Sequence, residues 1–295
     1  MPSAATLETL PTELRIEVLK SIPDACTLRC LLNASPIYYR AYIPLQREVL
    51  TAIISRQYFQ GTAADVVAAI LSIDIFHACN TRTKEEVIAF LDRYRHARGI
   101  MSPNALLIPS AKGGTRLTIK ELHKFQTCIE LLMDEYLKCI AESNFYRQLC
   151  RDTAGKMSLS SLQRMRIVRA ICRVQVYSYV FYQPRHDGSS LPPVPNWKEY
   201  FELEEVTDLF HATFAPWERD EMWAMYEWFE DWAEEILDTL LESEMDTPTL
   251  APDRMYTTVY LFSCLRLTHI SSILWPSYSR IIVGAWTHVS WSTDP

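Results

Sequence analysis

LPTELRIEVLKSIPDACTLRCLLNASPIYYRAY, residues 10–42, reads as three short helices in succession. A proline in the first turn of a helix loses no hydrogen bond, because the amides there have no intrahelical acceptor, so Leu10-Pro11 opens the first helix with Thr9 as its N-cap. Leu14, Val18 and Ile22 then recur at helical spacing, and Ile16 and Leu19 widen the apolar face. Pro23-Asp24 stops that helix and starts the next, which carries Leu28, Leu31 and Leu32 before Ser35-Pro36 breaks it in turn. A bundle of about forty residues rarely buries enough apolar surface to stand alone. The stretch therefore leans on another surface, either the rest of its own chain or a partner.

Outward from this stretch the pattern stays helical. The 295 residues are 48% hydrophobic and 22% charged, a balance that opposes wholesale disorder. Only seven glycines are present and turn signals have no regular spacing, which fits helices rather than sheets. The expected fold class is all-α: a three-helix module at 7–45 packed on an irregular multi-helix domain at 46–295, with a proline-rich loop at 184–196. Pro44 begins a helix with Val49, Ile53, Ile54 and Tyr58 on its apolar face, and 62–76 is apolar on nearly every side, as a buried helix is. Thr83-x-x-Glu86 is a capping box for a helix that runs to about Ala97 and stops at Gly99. The patterns at 118–150 and 158–182 are the longest, the second opening on Ser160-x-x-Gln163.

Several chemistries find no footing. The first nine residues hold neither a basic cluster nor an apolar run, so no signal peptide is expected. The apolar runs at 66–76 and 256–274 are interrupted by Asp74 and by Arg266 and His269, so neither reaches the roughly 18 residues of a membrane span. An intracellular location, cytoplasmic or nuclear, follows as the expectation. Eight cysteines form no C-x-x-C pair, and Cys26-x3-Cys30 has no histidine in zinc-module reach. Cys128, Cys139 and Cys150, eleven residues apart, fall on nearly one helical face with Leu131, Leu132 and Tyr146, and are expected as buried free thiols. His77-Ala78-Cys79 and His186-Asp187 are the nearest approaches to a nucleophile or base, and Lys112-Gly113-Gly114 lacks the first half of a phosphate loop. Neither enzyme activity, nor a cofactor, nor a metal is expected.

Charge is unevenly spread. Residues 199–253 hold eighteen acidic side chains against Arg219 alone, a net of −17 in a chain of −7. Arg164, Arg166, Arg169 and Arg173 lie on one helix, where they suit an acidic segment of the same chain better than nucleic acid, and the helix at 216–245 is their expected partner. That helix carries Trp217, Trp223, Trp228, Phe229 and Trp232 among its carboxylates. Trp217, Trp223 and Trp228 are candidates for a partner face; the commoner outcome, expected here, is that such rings pack inward while the carboxylates stay solvated.

A resemblance goes further than periodicity. Leu10-Pro-x-Glu13, the apolar Leu14, Ile16 and Leu19, then Ile22-Pro23-Asp24, Leu28-x-x-Leu31 and the aromatic pair Tyr38-Tyr39 resemble an F-box, most closely the form found in filamentous fungi. Arg166-Ile167-x-Arg169-Ala170 and Phe214-Ala215-Pro216-Trp217-Glu218 are similar to paired motifs of fungal F-box proteins of unassigned function. The resemblance implies that Leu10, Pro11, Leu14, Ile16, Leu19, Ile22 and Pro23 face the Skp-type adaptor of a cullin-RING ubiquitin ligase, while the remainder presents a protein substrate. Trp275, Trp286 and Trp291 near the end either dock on the bundle or mark a missing continuation, and in a family whose members look longer a shortened C-terminus is the expectation. The alternative is an interaction protein whose F-box-like helices are fused into its body and bind no ligase, favoured if Leu10, Pro11, Leu14 and Leu19 are buried within the chain.

Overall fold

Every residue from 62 to 72 is buried, and this stretch of helix lies at the centre of the first of two compact units. The structure, a computed structural model, describes residues 7–58, 61–77, 83–107, 117–142, 159–181 and 201–245, and among these every regular element is helical, with no strand. The expectations for Tyr146, Cys150, Cys79, Lys112-Gly113-Gly114, the loop 184–196 with His186-Asp187, and Trp275, Trp286 and Trp291 lie outside the described residues. Two compact units result, one of residues 1–75 and 88–173, the other of 76–87 and 174–295.

The first unit begins with a 3-10 turn, Leu7–Thr9, then α1 (Thr12–Ser21), α2 (Ala25–Ala34) and α3 (Pro36–Tyr42). Pro11 occupies the N-cap of α1 and its carbonyl accepts from the Arg15 amide at 3.1 Å; Thr9, expected as the cap, belongs to the preceding turn. The start shifts because proline's fixed φ suits the cap as well as the first turn. Asp24 caps α2, accepting from the Thr27 amide at 2.7 Å and its hydroxyl at 2.9 Å. Leu19, Ile22, Leu28, Leu32, Tyr38 and Tyr42 form the apolar centre of the three helices. The Tyr38 hydroxyl donates to the Leu7 carbonyl at 3.1 Å and the Ser35 hydroxyl to Glu8 at 2.7 Å, tying the entry turn to the α2–α3 junction.

This module is joined to α4 (Gln46–Gln57) by charge at a helix end. Arg56 donates to the carbonyls of Lys20 and Ile22, groups that no backbone amide reaches in the last turn of α1. Lys20 and Glu48 add a half-exposed ion pair at 3.1 Å. Ahead of α5 (Thr62–His77), Gly61 takes φ +88, a conformation that costs a residue with a Cβ but not glycine. Alanines 63, 64, 68 and 69 let neighbours approach α5 closely, while Val66, Val67, Ile70 and Leu71 each contribute roughly 1.5–3 kcal/mol on full burial.

Reciprocal capping boxes start the longer helices. Thr83 and Glu86 exchange bonds at 3.2 and 3.3 Å ahead of α6 (Lys84–Gly99), and Thr118 and Glu121 at 2.7 and 3.2 Å ahead of α7 (Ile119–Glu142). Ser160 and Gln163 do so at 2.9 and 3.2 Å ahead of α8 (Ser161–Phe181). Along α7, Leu122, Phe125, Cys128, Ile129, Leu132 and Met133 are buried, but Leu131 and Cys139 are exposed, against the expected stripe. Leu131 points about 100° away from Leu132, and from Asp134 to Ala141 no residue of α7 is buried, so Cys139 lies past the covered length.

In the second unit, α9 (Leu203–Leu209), a 3-10 turn at His211–Thr213 and α10 (Pro216–Met245) surround an aromatic centre. Phe210 meets Phe214 at 4.9 Å and Phe181 at 5.9 Å, both edge-to-face, and Phe181 meets Phe201 at 5.5 Å. The Phe214-x-Pro216-Trp217-Glu218 element is a helix start: Phe214 is buried, Pro216 is the first residue of α10, and Glu218 accepts from the Ala215 amide at 3.1 Å.

The end of α6 yields a stability prediction. Helix residues run through Gly99, and the left-handed position falls on Met101, φ +50, with Ser102 donating to Ala97 at 3.0 Å and Met101 to Arg98 at 3.1 Å. Because exposed Met101 contributes no burial there, Met101→Gly is expected to raise urea-unfolding stability by about 0.5–1 kcal/mol, and the β-branched Met101→Val to lower it.

Candidate functional site

Of the seven residues implied to face an adaptor, Leu14 is 51% exposed, and Pro11 and Pro23 are exposed too. Leu10 and Ile16 are half-buried, whereas Leu19 (0%) and Ile22 (6%) are held inside the protein's own core. The helical periodicity accounts for this division: Leu19 follows Leu14 by five residues, about 140° round the helix. Leu7, Tyr39 and Ile43 on the same module are also largely exposed. Tyr38 and Tyr39 are neighbours on α3, so one points in and the other out, a split that the aromatic pair in sequence conceals.

A second site is interior. Asp65, on α5 and wholly buried, receives the Tyr94 hydroxyl from α6 on Oδ1, with Arg173 Nε of α8 at 3.3 Å and Arg98 Nε at 3.7 Å from the same oxygen. Among the described residues no group donates to Oδ2. The Tyr94 phenol is held well above its ordinary range, first by burial and then by the Asp65 charge, against which Arg173 and Arg98 act. The Cys172 thiol is pushed up by burial and by the same carboxylate, so it stays protonated and poorly nucleophilic. The arrangement binds α5, α6 and α8 by charge and has no reacting group in an activated state.

The first unit also holds a cleft of about 450 Å³, lined by Asp24, Tyr58, His123, Glu130, Arg164 and Val168 among others. Arg164 and Glu130 pair across it at 3.4 Å, and burial raises the Tyr58 phenol. Among the described residues no three histidine, cysteine or carboxylate side chains gather as a metal site would require, and no helix is long and apolar enough to cross a membrane. Arg164 pairs with Glu130 and Arg173 with Asp65, so two of the four arginines expected near the acidic helix at 216–245 have carboxylates within their own unit.

The tryptophans of α10 divide in the second unit. Trp228 is 7% exposed against Phe229 (ring centroids 4.8 Å apart) and stacks on Trp232 at 5.6 Å, as the inward-packing expectation had it. Trp217 (63%) and Trp223 (64%) instead stand in solvent. Comparison of the chain with protein-family models, with curated proteins and with solved structures finds no match.

Two outcomes test this account of the interior. Asp65→Asn removes the buried negative charge beside two guanidinium groups and is expected to cost about 3–5 kcal/mol in chemical denaturation, whereas Asp65→Leu with Arg173→Met recovers most of the loss. His211 packs against Tyr177 and Phe210, and burial, aided by Arg219, lowers its pKa from the ordinary 6.5. The unfolded chain therefore takes up the proton first, so stability present above about pH 6.5 is lost as pH falls toward the folded pKa. A His211→Phe variant should lose less stability than wild type between about pH 7.5 and 5.5, measured by denaturant midpoints.

Proposed function

We propose that the chain is a non-catalytic adaptor whose N-terminal F-box-like module docks on the Skp-type subunit of a cullin-RING ubiquitin ligase, with the helical remainder presenting a protein for ubiquitin transfer. The observation that supports it is the solvent exposure of Leu14, Pro11 and Pro23, at positions where the resemblance puts adaptor contacts, on a module held together by other residues. Leu14 contributes little to the chain's own core, and the module that exposes it also exposes Leu7, Tyr39 and Ile43, so apolar side chains are available to a partner.

One observation favours a second reading, a helical interaction protein whose F-box-like segment is structural. Leu19 and Ile22 are buried, and Arg56 clamps the end of α1 to α4, so two of the seven implied contacts are engaged within the chain. The readings part in a pull-down of the full chain with a purified Skp-type adaptor. The adaptor reading expects capture by the wild type and at least a ten-fold weakening, about 1.4 kcal/mol or more, in a Pro11→Ala/Leu14→Ala variant whose circular dichroism is unchanged. Absence of capture by the folded wild type leaves the second reading standing.

A further inference from the structure

Among the described residues of the second unit, packing leaves the exposed side of α10 unexplained. Met222, Met225, Phe229 and Ala233 face the core. Asp220, Trp223, Glu227 and Glu230 follow one another at three- and four-residue steps on the other side, over about 15 Å of helix, with Asp231 beside them. Trp223 is 64% exposed yet not loose: its indole N–H donates to Glu227 at 2.6 Å and its ring stacks on Tyr226 at a centroid distance of 6.1 Å. No described cation pairs with Asp220, Glu230 or Asp231, and Arg219 is the single basic residue in a segment of net −17.

We propose that this face of α10 binds an arginine- or lysine-rich segment of a partner protein, seating one cationic side chain over the Trp223 ring and others on Asp220, Glu230 and Asp231. An indole offers the best π-face for a cation, and Trp223 is the residue on this surface that a purely solvated acidic helix would not need. Guanidinium is weakly hydrated and planar, so it stacks on the ring and donates to the flanking carboxylates at once. The same field repels nucleic acid and anionic lipid surfaces. In an extended peptide, alternate side chains repeat at nearly 7 Å, so the 15 Å stripe holds two or three of them, which predicts a short linear motif rather than a folded epitope. Binding itself stands apart from the adaptor reading; only its meaning, a substrate-capturing face, rests on that reading.

The test uses the full chain without any ligase subunit, so it fails separately from the pull-down. A short labelled peptide of alternating arginine and serine is titrated at about 0.15 M salt, with a citrulline–serine peptide as the uncharged isostere. The expected result is binding of the arginine peptide with a change in tryptophan emission, none by the citrulline peptide, and about five-fold weaker binding by Trp223→Ala with its helix content intact. Asp220→Asn/Asp231→Asn, which leaves the ring in place, is expected to weaken binding and flatten its salt dependence. Absence of binding by the wild type, or unchanged affinity in both the tryptophan and the double-asparagine variants, overturns the proposal. Affinity lost only in the double-asparagine variant also overturns it, since it reduces the face to non-specific charge.

Discussion

A single oxygen atom, Oδ1 of Asp65, holds the first unit in register. It sits in a helix with no exposed residue from 62 to 72, and it collects a phenol from α6 and two guanidinium groups from α6 and α8. Apolar packing around α5 tolerates many arrangements, since alanine and valine surfaces slide past one another at little cost. A buried carboxylate does not: it must meet its cations, and only one axial and rotational setting of α5, α6 and α8 brings Tyr94, Arg98 and Arg173 to the same atom. The charge thus selects one packing of these helices, while the hydrophobic contacts supply most of the stability.

How much of this was legible follows from the range of each interaction. The capping boxes at Thr83–Glu86 and Ser160–Gln163 were readable because donor and acceptor are three residues apart, and both form. The burial of α5 was readable because its composition is apolar on every side. Asp65 gave no warning: one carboxylate early in an apolar helix looks like an interruption, and its partners lie 29, 33 and 108 residues away in sequence. A charge sum carries no geometry, so it does not reveal that Arg164 meets Glu130 and Arg173 meets Asp65 within the first unit. At the end of α6, glycine drew the stop signal to position 99, although the backbone placed the left-handed residue at Met101.

The N-terminal module shows the same limit in another form. A resemblance lists residues, but a helix can point only some of them outward. Leu14 and Pro23 face solvent while Leu19 and Ile22 complete the interior with Leu28 and Tyr38. The residues that make the pattern recognisable are therefore of two kinds, some holding the three helices together and some left over. Loss of the first kind unfolds the module, so only the second can report on docking without ambiguity.

The two sides of α10 make the complementary argument about aromatic residues. Trp228 and Phe229 are needed where they are, because the core would be hollow without them. Trp223 is not: a polar residue at an exposed helical position keeps the helix and removes apolar area from water. Its indole is nonetheless oriented by Glu227 and Tyr226, so the side chain has already given up rotamer freedom before any partner arrives. A surface that is rigid, aromatic and ringed by carboxylates asks little reorganisation of itself on binding, and its charge dictates the sign of what it meets. Asp220, Glu230 and Asp231, which pair with no described cation, make the charge of this face a property directed outward.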